Sequence, residues 1–104
     1  MNIGIVKSKN GVLIRLTEER WKHIVRMHPT LSNKQEKVLK AVNNPEYILE
    51  GSKKEFLAVS KLTKRSYIVV IYKEEIADGF VITAYETTDT LWLFKKEVIW
   101  NKHS

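Results

Sequence analysis

Seven polar side chains hold most of the chemistry open to this chain: Arg20, His23, His28, Arg65, Tyr67, Thr83 and Tyr85. Imidazoles titrate near neutrality and can serve as acid or base, guanidinium groups clamp phosphate through paired hydrogen bonds, and hydroxyls orient a phosphate or a base. Such a set suits cleavage of RNA by internal transfer. A base removes the ribose 2′-OH proton, a cation steadies the extra charge on the phosphate, and an acid protonates the departing 5′-oxygen. The nucleophile belongs to the substrate, so the scheme calls for neither a metal nor a cofactor.

Other chemistries lack the residues or the spacing. The sequence has no cysteine, which removes disulfides, thiolate nucleophiles and thiolate-bound zinc. His23 and His28 are five positions apart, not the three or four that would align two ligands on one helical face, and there is no HExxH pattern. Phosphate-loop, dinucleotide-binding and nucleophile-elbow motifs are absent as well.

The element that must position the histidines spans about residues 17–28. Thr17 can cap its first turn, Glu18 and Glu19 sit at the positive end of the helix dipole, and Pro29 prevents continuation. At about 100° per residue, Trp21, Ile24, Val25 and His28 share one face, while Arg20, His23 and Met27 line its edge. His28 therefore lies within the apolar stripe, where an unpaired polar group costs about 1–3 kcal/mol. It needs a partner or a cleft. The plain alternative is a helix-end histidine that hydrogen-bonds the last carbonyls and gains about 0.3–1 kcal/mol from the dipole. Arg20, His23 and Arg65 likewise fit a solvated surface, and Thr83 and Tyr85 are common strand residues.

Around this helix, Ile3–Val6 and Val12–Leu16 read as two strands of a hairpin. Ser32 and Gln35 resemble a capping box for a second helix carrying Val38, Leu39, Ala41 and Val42, which should end before Pro45. Tyr47–Glu50, Glu55–Lys61, Ser66–Lys73 and Gly79–Tyr85 follow as strands of an antiparallel meander. Strict alternation in the last would put Val81, Thr83 and Tyr85 on one face and Phe80, Ile82 and Ala84 on the other. If the first helix packs across that face, His28 or the Arg20–His23 edge meets the hydroxyls. Residues 87–104 fit a strand with an irregular end better than a helix. The expected architecture is α+β: an N-terminal hairpin and two helices on an antiparallel four-stranded sheet.

The segments Arg20-Trp-Lys-His-Ile, His28-Pro29, Tyr67-Ile-Val-Val-Ile and Phe80-Val-Ile-Thr-Ala-Tyr85 resemble motifs of the barnase, EndoU, colicin and RelE-like (BECR) superfamily of nucleases, especially its phage-associated branches. The similarity runs over about residues 12–86, leaving 87–104 as a C-terminal extension. It implies metal-independent ribonuclease activity, with a site on the sheet beside the first helix. Arg20, His23, His28, Thr83 and Tyr85 are the motif positions carried over as catalytic candidates, with Arg65 and Tyr67 as substrate contacts. It also implies an RNA substrate, a phage-encoded or toxin-like setting without a delivery domain, and a protein inhibitor of antitoxin type.

Composition is compatible with this reading and with a rival. The 104 residues suit one compact domain, and 18 Lys and Arg against 12 Asp and Glu give a net charge of +6, which favours polyanions. No apolar run reaches the length of a membrane span and no signal peptide is evident, so a soluble, cytoplasmic protein is expected. The rival is a non-catalytic nucleic-acid binder, or a phage or toxin–antitoxin interaction module that forms a homodimer through the aromatic residues Trp92, Phe94 and Trp100.

Overall fold

Local chemistry sets the ends of the first helix. The computed structural model describes residues 1–76 and 78–103. Helix α1, Glu18–Met27, starts where Thr17 is extended and its Oγ1 accepts the Arg20 N–H at 3.1 Å. It stops before Pro29: the His28 N–H still donates to the Ile24 carbonyl at 2.7 Å, and a 3₁₀ turn at Pro29–Leu31 buries Leu31. Helix α2, Gln35–Asn43, buries Val38, Ala41 and Val42. The capping box expected from Ser32 and Gln35 does not form. Lys34 occupies the N-cap without a side-chain bond, and its N–H donates to the Leu31 carbonyl at 2.9 Å, so the preceding turn runs almost directly into the helix.

The strands are β1 (Asn2–Lys7), β2 (Leu13–Thr17), β3 (Tyr47–Glu50), β4 (Phe56–Lys61), β5 (Tyr67–Glu74), β6 (Asp78–Thr87) and β7 (Val98–Asn101). They form one seven-stranded sheet in the order β1-β2-β6-β5-β4-β3-β7. This corrects the expected four-stranded antiparallel sheet. The meander β3 to β6 is antiparallel, but the N-terminal hairpin joins it edge-on, with Leu13, Ile14 and Arg15 of β2 running parallel to Asp78, Gly79 and Phe80 of β6. An Arg15–Asp78 ion pair at 2.6 Å accompanies that junction. At the other edge β7 pairs with β3, so the segment read as an extension completes the same sheet. A four-residue helix, α3 (Thr90–Leu93), precedes it.

Each sheet face has its own apolar cluster, and β5 contributes to both. Ile68, Val70 and Tyr72 point toward α1 and α2 with Ile14, Leu16, Ile24, Val38 and Val42. Val69 and Ile71 point the other way, toward Leu49, Leu57, Val59 and Leu93. Burying each such aliphatic side chain contributes about 1.5–3 kcal/mol, which explains why an unbroken apolar run sits in the centre of the sheet. The sheet also curls: Lys9, in the turn after β1, holds its ammonium 5.1 Å from the ring of Trp100 on β7, although those strands are at opposite ends of the order. Among the described residues no helix is long and apolar enough to cross a membrane.

Candidate active site

The late strand does not alternate as its sequence suggests. A bulge between the Ile71–Thr83 and Tyr72–Val81 pairs leaves Ile82 without a partner and advances the phase by one residue. Val81 and Ala84 consequently both belong to the cluster under the helices, whereas Tyr85 packs into the cluster on the opposite face. Thr83, opposite Ile71, shares that second face with Tyr85. The expectation that Val81 lies on the same face as Thr83 and Tyr85 is therefore corrected, while the pairing of the two hydroxyl side chains on one face is observed.

Helix α1 packs mainly against the first face, through Ile24, and does not lie across the hydroxyls. Its end nevertheless reaches them. β2 pairs with β6 only as far as Phe80, leaving the later half of β6 without a strand on that side, and α1 packs against β6. His28, half-buried at the C-cap, thereby stands with its ring centroid 6.1 Å from that of Tyr85 at an interplanar angle of 41°. Burial pushes the Tyr85 phenol above its ordinary pKa, so it remains a protonated hydrogen-bond donor at neutral pH.

Tyr85 also lines an open hollow of about 380 Å³ on the face away from α1 and α2, with Leu57, Ile71, Glu55, Trp92 and Lys96. Asp89 fixes Trp92 in place by accepting its backbone N–H at 3.0 Å, and Leu93 beside it is buried. Trp92 is 52% exposed and the Lys96 ammonium sits 5.2 Å from its ring centroid. Glu55 Oε1 accepts the Lys53 N–H at 2.8 Å, and this bond holds the carboxyl below the usual range. The carboxylate occupies the space that a Cβ on Gly51 would need, so this turn cannot accept a side chain there without moving Glu55. The hollow thus offers a stacking surface, a cation, an ionised acceptor and a phenol donor.

The remaining sequence candidates lie elsewhere. Arg20 is exposed in the first turn of α1, and His23 is separated from His28 by about 140° around the helix axis. Tyr67 packs edge-on against Phe94, with ring centroids 6.0 Å apart, as part of the second cluster. Arg65 is exposed in the β4–β5 turn, where its backbone N–H donates to Thr63 Oγ1 at 3.2 Å. The structure brings together His28 and Tyr85, adds Thr83 on the same face, and leaves Arg20, His23, Arg65 and Tyr67 outside the group. Sequence reasoning named Trp92 only among tail aromatics able to stack on a base or form a dimer contact, and missed Glu55 and Lys96. The available signal was an aromatic and a lysine in Trp92-Leu-Phe-Lys-Lys96, four residues apart as on a helix, after a possible cap at Asp89.

Comparison with protein-family models, curated proteins and solved structures finds no match.

Proposed function

We propose that this protein is a metal-independent endoribonuclease that works on the open face of its sheet. The observation that carries the reading is the juxtaposition of His28 with Tyr85, the residue that also lines the hollow containing Trp92, Lys96 and Glu55. With their ring centroids 6.1 Å apart the two side chains are near neighbours, so an imidazole nitrogen and the phenol oxygen can reach different oxygens of one phosphodiester laid across them. The two residues come from different motifs of the nuclease resemblance, His28-Pro29 and Phe80–Tyr85, which gives the reading a second support.

In this scheme His28 moves the proton between the ribose 2′-OH or the departing 5′-oxygen and itself. Solvent, which reaches the open hollow, takes the other transfer. The Tyr85 phenol donates to a non-bridging oxygen as its charge grows, and Lys96 offsets that charge. Trp92 stacks on a base, and Glu55 accepts from a ribose hydroxyl or an exocyclic amine. The products are a 2′,3′-cyclic phosphate and a 5′-hydroxyl, and the reading places the protein in the cytoplasm with RNA as its partner.

The test is purified protein incubated with total RNA in EDTA. The expected result is RNA fragments with cyclic phosphate ends, and a loss on the order of 10²–10⁴ in rate for His28→Ala. Intact RNA, or salt-dependent binding with no cleavage, would overturn the catalytic reading and leave a nucleic-acid binder in its place.

A further inference from the structure

The helix-covered side of the sheet has a second hollow, of about 220 Å³, where the end of β4, one side of α2 and the residues after β7 converge. Its ionisable groups are Lys37, Lys40, Lys61, Lys102, His103 and one carboxylate, Glu46. That carboxylate is already engaged, with Oε2 accepting the Lys61 backbone N–H at 2.6 Å and Oε1 3.8 Å from His103 Nε2. The Glu46 carbonyl also accepts the Lys102 N–H at 2.9 Å, and this bond draws the tail to the site. Among the described residues, none of the four lysine ammonium groups takes part in an ion pair.

Lys40 has an ordinary role available, since a cation in the last turn of a helix complements its dipole, whereas Lys37, in the first turn of α2, sits at the positive end and gains nothing from it. Lys61 and Lys102 gain nothing from it either. They arrive from a strand end and from the chain terminus, and meet the helix lysines over a floor that includes Ala41, Leu62 and Ile68. Clefts lined by one sign of charge with low-dielectric walls focus the field outward. Lysine ammonium groups bind phosphate as point charges, and the volume fits a phosphate with an attached sugar rather than a larger organic ligand.

We infer that this hollow is a phosphate-binding site, separate from the one at Tyr85 and on the other face of the sheet. Its ligand is a phosphate group, carried either as the monoester of a nucleotide or as a diester of a nucleic-acid backbone. The inference does not depend on ribonuclease activity.

Amide-resolved NMR with inorganic phosphate as the probe, against chloride at equal ionic strength, tests it. Saturable shifts are expected at Lys61, Leu62, Lys102 and His103. The double variant Lys61→Glu with Lys102→Glu should weaken binding about tenfold or more, because two charge-assisted contacts are reversed. Lys22→Glu with Lys73→Glu makes the same change in net charge away from the hollow and should leave the affinity within about twofold. A nucleoside 5′-monophosphate and a DNA oligonucleotide with hydroxyl ends then identify the source. Tighter binding of the first assigns a monoester, and tighter binding of the second a diester. Shifts that do not exceed the chloride control, or an equal loss in both double variants, would overturn the site.

Discussion

A buried phenol is useful because it keeps its proton, and two tyrosines here illustrate different consequences. At Tyr85, burial preserves a donor beside His28. At Tyr72, 1% exposed and stacked at 5.5 Å on Phe56, burial and the nearby Glu74 carboxylate push the phenol well above its usual 10.0. Folded protein therefore holds this proton more tightly than the unfolded chain. The associated stability is fully present below about pH 10 and is lost as pH rises beyond it. Denaturant midpoints measured at about pH 9 and about pH 11 should fall for the parent and fall less for Tyr72→Phe. Equal falls in both would show that Tyr72 contributes nothing to the alkaline loss. Residues of this kind differ in how far sequence reveals them. His28 was legible because an imidazole on an apolar stripe requires a partner. Glu55 and Lys96 were not, because a charged residue in a polar stretch gives no sign of which hollow it will face.

At the scale of elements, local signals and long-range pairings separate cleanly. Thr17 and Pro29 marked both ends of α1, and the turns around Gly51, Arg65 and Glu75 separated the meander strands. The bulge at Ile82 was hidden, since an extra residue in an apolar run leaves the composition of the strand unchanged. Equally hidden were the β2–β6 and β3–β7 pairings, which join segments remote in sequence through backbone hydrogen bonds that no side-chain motif announces. One residue does make the parallel junction testable. A Cβ on Gly79 would run into the Lys73 carbonyl and lie 2.7 Å from Ile14 Cδ1. Gly79→Ala should lower the free energy of unfolding by about 1–3 kcal/mol, read from urea melts, because the strands on both sides must give way. Unchanged stability would mean that β2 does not pack as closely on β6 as described.

For the whole molecule, the expected four-stranded antiparallel sheet is replaced by a seven-stranded mixed one in an α+β fold, which curls until Lys9 covers Trp100. Helices α1 and α2 cover one face; on the other, α3 covers part and leaves a hollow that combines Trp92, Lys96, Glu55 and Tyr85. Net charge of +6 attracts a polyanion to either face, so binding alone does not distinguish a catalytic face from a docking one. The central claim is that His28 and Tyr85 act on the same phosphodiester. A double-mutant cycle of His28→Ala and Tyr85→Phe, followed by single-turnover cleavage of one RNA oligonucleotide in EDTA, tests it most directly. Each single change is expected to slow cleavage about a hundredfold or more, and the double variant to be scarcely slower than the worse single one, as for groups working as a unit. Fully additive losses, or cleavage at the parental rate in either single variant, would contradict it.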